Sequence, residues 1–500
     1  MKRKTELLSF LEGLKRLGMS LSLLLCSILT FAQTFEVDGI RFKIVDESGY
    51  GAYEAVVVKG GEYTGHVEIP EKVTYEGNSY MVRRIGEEAF KNCTDLTTVT
   101  LPPYLFYIDR RAFFDCKGLT SIVIPDRVLE IGDYAFSGSG IKSLVIGVRV
   151  KSIGSGSFSN CKNLTSVSLP GILTTVSSRL FLDCTSLTSV SFGGVKTIEQ
   201  EAFRGCTSLE SITIPKNVLK IGGRAFSDCT SLKTLILQPD LWYGLEFEGG
   251  NNTFNGSPIE TIIYDRTVGS KSGISPFEDM TTLKNVVIRS SIVEGLFRGC
   301  TNLSSVNIDG KGGAIGRYAF YNCKGLQTLE LPKELINIEE YAFAGCTGLT
   351  SLSVGDDIHG MRYLTIFSHA FDHCTGLKTL YINSISGIQQ YAFLGCTSLE
   401  DIHTYNETPP SIYATSFDEK TVQNATLHVP EPSLSTESQY KEAFYWKDFF
   451  HIVIDLPSSI NVIDNKTENS GCIYNLQGRK VTTPQKNGLY IKNGKKFIAR

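Results

Sequence analysis

Thirteen cysteines and seven histidines are the side chains of this 500-residue chain best suited to hold a metal or form a Cys/His catalytic pair. Either use requires them to cluster. Eleven cysteines instead obey one spacing rule, each falling three residues after a phenylalanine: Cys93, Cys116, Cys161, Cys184, Cys206, Cys229, Cys300, Cys323, Cys346, Cys374 and Cys396. Histidine and acidic partners do not accompany the ladder, so metal is not its expected use. Export would permit disulfides between neighbouring members. A stack of small buried thiols needs no oxidation, however, and Ser139, Ser257 and Met280 fill the same slot elsewhere. Reduced structural thiols are the favoured expectation.

His369, His373 and Cys374 are the one compact metal-capable set. Yet His369 takes a position held by Tyr134, Tyr341 and Tyr391 in equivalent segments, and Cys374 is a ladder member. A closed zinc site would also need a fourth ligand. The chain has no G-x-S-x-G, H-E-x-x-H or G-x-x-x-x-G-K motif, and the pairs Glu87-Glu88 and Glu339-Glu340 fall in the same segment of their repeats and read as solvated surface. The sequence therefore predicts no catalytic residues, no cofactor and no metal.

What positions the cysteines is an internal repeat. Residues 119–140 read LTSIVIPDRVLEIGDYAFSGSG, residues 209–231 LESITIPKNVLKIGGRAFSDCTS and residues 326–348 LQTLELPKELINIEEYAFAGCTG. Phenylalanines from Phe90 to Phe417 mark the phase of 15 turns, most of them 22 or 23 residues long. A fixed period in this range is the signature of a solenoid. The L-x-x-[IVL]-x-[IL] segment alternates, which predicts a short strand with one buried face. Pro125, Pro215 and Pro332 follow such strands and end them, having no N–H to give. The second half supplies an Ile, an Ala-Phe pair and a Cys from a turn or short helical segment. One unit cannot cover its own apolar face, so neighbours must stack.

The P-x-x-[VL]-x-x-I-x-x-x-A-F-x-x-C unit resembles the leucine-rich repeat of BspA-like bacterial surface proteins. The resemblance implies a leucine-rich repeat solenoid, a right-handed stack of strand-plus-turn or short-helix coils, over residues 83–430. Residues 33–82 resemble that family's β-rich lead-in and would form an amino-terminal cap. The family further implies a secreted or surface-displayed adhesin-like protein with a protein or glycan ligand.

Contact residues are sought on the exposed strand positions and in two insertions. The exposed positions are small and hydroxylated in most turns, such as Ser166 and Ser168, and become larger late in the chain at Glu330, Tyr381, Asp401 and His403. Two turns are swollen to 28 residues; one carries Trp242 and Tyr243, the other Arg362 and Tyr363. Insertions in solenoids become loops on one face. The candidate ligand contacts are thus Trp242, Tyr243, Arg362, Tyr363, Tyr381, Asp401 and His403.

The ends read differently. Basic residues Lys2 to Arg16 precede an apolar run, Leu17 to Phe31, as in a secretory signal peptide covering residues 1–32. Such a chain is not expected to span a membrane once mature. Tyr440, Phe444, Trp446 and Phe449 should close the last coil as a carboxy-terminal cap, residues 431–456, before a polar linker, 457–471. Residues 472–500 alternate as small hairpins and resemble the sorting domain of type IX secretion cargo, which implies contact with export or surface-attachment machinery. Lys+Arg 49 against Asp+Glu 52 gives a net charge of -3, which offers nucleic acid no basic field. The sequence thus predicts an exported, non-catalytic binding or adhesion protein, with a surface stalk and a carbohydrate-binding module as alternatives.

Overall fold

The computed structural model describes residues 34–46, 53–239, 244–265, 268–270, 273, 275–289, 292–308, 313–332, 335–355, 364–383, 385–404, 406, 408–430, 436–455, 473–474, 480–481, 489–492 and 495–498. The expected signal peptide, the linker and the insertion residues Trp242, Tyr243, Arg362 and Tyr363 lie outside them. The chain divides into two compact units, Met1–Ser290 and Ser291–Arg500. Each is a leucine-rich repeat solenoid of β-coils.

The alternating segment forms the first strand of each coil, paired in parallel and in register with its neighbours. In the first unit Ser166–Ser168 pairs with Ser189–Ser191, and Ser211–Ile214 with Thr234–Leu237. Val167, Ile212 and Leu235 point inward and are buried, while the serines point out. A second strand, which the sequence reading did not separate from the turn, forms at the [VL]-x-x-I step. Glu130–Ile131 pairs with Tyr107–Ile108 and Ser152–Ile153 in the first unit, as Leu364–Ile366 pairs with Leu335–Ile338 and Ile385–Ile388 in the second. Two-residue strands are too short to show a period of two.

The A-F-x-x-C segment is a run of turns, not a helix, because its N–H groups bond across coils. Phe113 N–H donates to Ala135 O (2.7 Å) and Asp115 N–H to Ser137 O (2.8 Å), while Phe114 N–H closes a turn onto Arg111 O (3.1 Å). Donors spent on the next coil cannot make the i→i−4 bonds of an α-helix. Among the described residues, α-helix occurs only at Glu419–Asn424 and Thr436–Glu442.

Reversing the chain so tightly uses two left-handed positions in most coils, on either side of the core phenylalanine. The earlier is held by residues such as Arg111 (φ 54), Glu201 (φ 55), Tyr341 (φ 57) and His369 (φ 59). The later position carries Asp183 (φ 56), Gly205 (φ 73), Asn322 (φ 59) and Gly345 (φ 75) among others. Glycine is required at Gly205 and Gly345 for space as well: a Cβ there would strike Asp183 Oδ1 and Asn322 Oδ1 of the preceding coils.

The core of both units is a column of stacked phenylalanines. Phe113 and Phe136 lie 5.1 Å apart at 3°, and Phe371 and Phe393 lie 5.2 Å apart at 3°. Burying each such ring contributes about 1.5–3 kcal/mol. The amino-terminal strands extend the sheets of the first unit. Tyr53–Val57 joins Asn78–Ile85 in parallel, and Gly65–Glu68 joins Leu96–Thr100. Tyr63 then packs at 4.7 Å on Phe90, the first core ring.

In the second unit Thr426–Pro430 and His451–Asp455 add two more parallel strands. Trp446 is buried and donates from Nε1 to Pro410 O (2.7 Å); buried Tyr440 bonds Thr404 Oγ1 (2.8 Å), and Phe449 packs edge-on at 5.6 Å against Phe417, the last core ring. Phe444 does not join them. It was expected to close the coil and is instead 80% exposed, because Thr436–Glu442 ends just before it and the strained Tyr445 (φ 67) turns the chain. Residues 473–498 contribute a four-stranded antiparallel sheet in which Leu489–Lys492 and Lys495–Ile498 pair as a hairpin.

Candidate interaction face

The cysteine ladder lies inside the coils and is chemically quiet. All eleven members are buried thiols. Cys116 Sγ donates to Phe90 O (3.0 Å), Cys206 Sγ to Phe181 O (3.3 Å) and Cys396 Sγ to Phe371 O (3.2 Å). Cys161, Cys184, Cys229, Cys323, Cys346 and Cys374 likewise satisfy a phenylalanine carbonyl of the preceding coil. Ser257 does the same with Phe226 O at 2.6 Å, which explains the serine in this slot. Burial pushes the thiols of Cys116, Cys161 and Cys229 up to about 12. Thiolate is the nucleophile and the metal ligand, so these groups are disarmed.

His369, His373 and Cys374 are separated by the coil wall. Cys374 faces inward and donates to Phe343 O (3.2 Å). The two imidazoles lie outside, both on Asp372; His369 Nδ1 is 2.9 Å from its Oδ2. His369 also stacks between Tyr341 at 4.6 Å and Tyr391 at 5.0 Å. Among the described residues no group of three or more His, Cys, Asp or Glu side chains could hold a metal ion.

The expected contacts Tyr381, Asp401 and His403 do come together. They lie on the first-strand face of the second unit, where register sets Ser353, Tyr381, His403, His428 and Val453 in one row across adjacent strands. Tyr381 and His403 stack at 4.8 Å, and His403 and His428 at 4.2 Å. His428 Nε2 lies 3.3 Å from Asp401 Oδ1 on the neighbouring row. All four side chains are half-exposed, presenting ring edges and polar atoms together. Residue alternation forces this placement: Leu380, Ile402 and Leu427 point into the core, so their neighbours must point out.

His428 was missed by sequence reasoning, which ended the regular pattern at His403. The signal was present in TLHVP, where Leu427 and Val429 are buried and His428 is between them. Glu330 lies farther along the same row, bridged to Asn307. The equivalent face of the first unit is plainer. Ser166 and Ser168 pair with Ser189 and Ser191, and the exposed valines Val123 and Val145 pair with each other.

A second outer column lies at the left-handed position before the core phenylalanine. Tyr318, Tyr341, His369 and Tyr391 stack in the second unit at 5.0, 4.6 and 5.0 Å. In the first unit charged residues hold most of that position, with Tyr134 and Gly156 among them. Arg179 bonds Glu201 at 2.7 Å, with Arg204 at 3.4 Å and Arg224 at 3.9 Å from the same carboxylate. Arg179 holds the Glu201 carboxyl below its ordinary value, and Lys91 does so for Glu88.

Stacked parallel coils with buried thiols and an open polar strand face define a leucine-rich repeat protein. Residues 83–207, 196–309, 275–364 and 364–487 match the BspA type leucine rich repeat region, and the chain belongs to that family. Among solved structures it is similar to a leucine-rich repeat protein from Bacteroides ovatus, with 25% identity over 79% of this chain and 99% of that one, at a TM-score of 0.43. It is also similar to a leucine rich cell surface protein from Faecalibacterium prausnitzii, with 26% identity, 75% and 95% coverage and a TM-score of 0.38. The pneumococcal vaccine antigen PcpA is 18% identical over 85% of this chain and 99% of that one, at 0.29. A search of curated proteins returned no match. No helix among the described residues is long and apolar enough to cross a membrane.

Proposed function

We propose that this is an exported, surface-displayed leucine-rich repeat protein that binds another macromolecule without catalysis. The observation that carries the reading is the half-exposed row Tyr381–His403–His428 beside Asp401, on a rigid parallel sheet. Tyrosine is a residue type that dominates binding energies, and rings held by stacking lose little freedom on binding. The ligand is an extracellular protein or a glycan, and adhesion to host or neighbouring cells is the role. Export rests on the basic-then-apolar start of the sequence and on the sorting-like tail.

Retention of extracellular matrix proteins and glycans by residues 33–456 tests the binding reading. The triple variant Tyr381→Ala, His403→Ala, His428→Ala should lose at least tenfold in affinity while its melting transition stays within a few degrees. Undiminished binding by the triple variant, or no retention by the parent chain at micromolar protein, would sink the proposal. Deleting residues 472–500 should trap the protein inside the envelope; normal surface display would remove the sorting role.

A further inference from the structure

The carboxy-terminal cap of the second unit holds a cavity of about 200 Å³ that the strand face does not use. Its inner walls are apolar, formed by Phe417, Phe449 and Ile412, all buried. Tyr413 and Tyr445 stand exposed at its edge, and the exposed acidic residues Glu419 and Asp448 also line it. Neither carboxylate forms a salt bridge among the described residues. Among the described residues Glu419 accepts only from Gln423 Nε2 (2.9 Å), a neutral donor. Exposed Lys447, the nearest cation in sequence to Asp448, is placed over the Phe444 ring at 5.5 Å. Two acidic residues with no ion-pair partner among the described residues thus share one small hollow with aromatic rings.

Beside the hollow project the two most exposed large apolar side chains of the described residues, Phe444 at 80% and Phe450 at 71%. Phe450 is tied to the cavity wall by its N–H bond to Val422 O (3.2 Å). A terminal cap exists to cover apolar surface with polar residues. This cap does the reverse at one place, and exposed aromatics of this size mark interaction surfaces.

We propose that this hollow binds one lysine or arginine side chain of an extended polypeptide partner, with apolar residues beside it resting on Phe444 and Phe450. The chemistry of the lining selects that ligand. Aromatic walls receive a long methylene stem, as stems of cationic side chains bury along apolar surface. At the mouth a cation meets tyrosine rings and two carboxylates, combining cation–π attraction with ion pairing. An anionic or neutral polar side chain would leave Glu419 and Asp448 repelled or unpaired. The volume suits one side chain, being below the range of drug-sized ligand pockets. The site is distinct from the strand-face row and stands without it.

Titration calorimetry of the full chain tests it, using the peptides acetyl-Leu-Lys-Leu-amide, its arginine counterpart and the isosteric norleucine peptide. The cationic peptides should bind at least tenfold tighter than norleucine. The double variant Glu419→Gln, Asp448→Asn should abolish that preference; both positions are exposed, so the fold is retained, which the melting transition checks. Tyr445→Phe, which keeps the ring, should bind as the parent does, and Tyr445→Ala should weaken both cationic peptides. The strand-face triple variant should leave peptide binding unchanged, which separates this site from the proposed binding face. Equal affinity for norleucine, preference unchanged in the double variant, or no heat at millimolar peptide would each overturn the assignment.

Discussion

The two units build the same left-handed position from mostly different chemistry. Glu88, Arg111, Arg179, Glu201 and Arg224 hold it in the first unit, interrupted by Tyr134 and Gly156, whereas Tyr318, Tyr341, His369 and Tyr391 follow Gly295 in the second, the non-glycine members all at φ between 54 and 61. The backbone conformation is imposed by the cross-coil hydrogen bonds and the phenylalanine column, which are common to both. The outward side chain is then free to bond its neighbour one coil away, by charge in one unit and by ring stacking in the other. Identical backbones therefore acquire different sensitivities to salt and pH.

The comparison holds only if the inner columns are equivalent, and that is the largest effect to measure. Phe203→Ala in the first unit and Phe343→Ala in the second should each cost about 3–5 kcal/mol, read by denaturant unfolding. A cost confined to one unit would break the equivalence. The thiol column comes next. Cys206→Ala removes the donor to Phe181 O and should cost about 1–2 kcal/mol. Cys206→Ser should cost less, because Ser257 already performs that task. Equal losses would show that packing alone sets the slot.

The outer columns should matter less. Glu201→Gln and Tyr341→Ala are each expected to cost about 1 kcal/mol. They differ in response to salt: about 0.5 M NaCl should shrink the first penalty and leave the second. Hydrogen exchange resolved to each unit distinguishes them.

The smallest effect is the pH dependence, and its signs are opposite. Glu201 and Glu88 titrate below their ordinary values when folded, because Arg179 and Lys91 stabilise their carboxylates. Their contribution is complete above the unfolded carboxyl value and is lost as acid protonates them through the folded one. Tyr341 is raised, chiefly by burial and then by neighbouring charge, so its contribution is complete below the unfolded tyrosine value and fades as pH climbs past it. Protection in the first unit should fall toward acid, and that near Tyr341 toward alkali. The reverse order would refute the assignment of the two columns.

Much of this was legible in the primary structure. The step from Phe113 to Cys116, and its recurrence, marks the inner columns because a fixed period forces identical residues to stack. The equivalence of His369 with Tyr341 and Tyr391 was legible for the same reason, although that they stack was not. The second strand stayed hidden because pairs such as Glu130–Ile131 are too short to alternate. His428 escaped because its strand follows the helix Glu419–Asn424 and breaks the period. Phe444 was placed inside on its apolar character alone, which carries no information about where Thr436–Glu442 ends.

The later left-handed position carries a rule for substitution. In the second unit it runs Gly299, Asn322, Gly345, His373 and Gly395, and Asn322 and His373 each lean over the glycine of the next coil. A side chain placed at Gly345 or Gly395 therefore has to displace its neighbour one coil back as well as hold a left-handed backbone. The rule is local, since Asn92 is followed by Asp115 and Asn160 by Asp183 at the same position in the first unit. Each glycine thus records which way the preceding side chain leans.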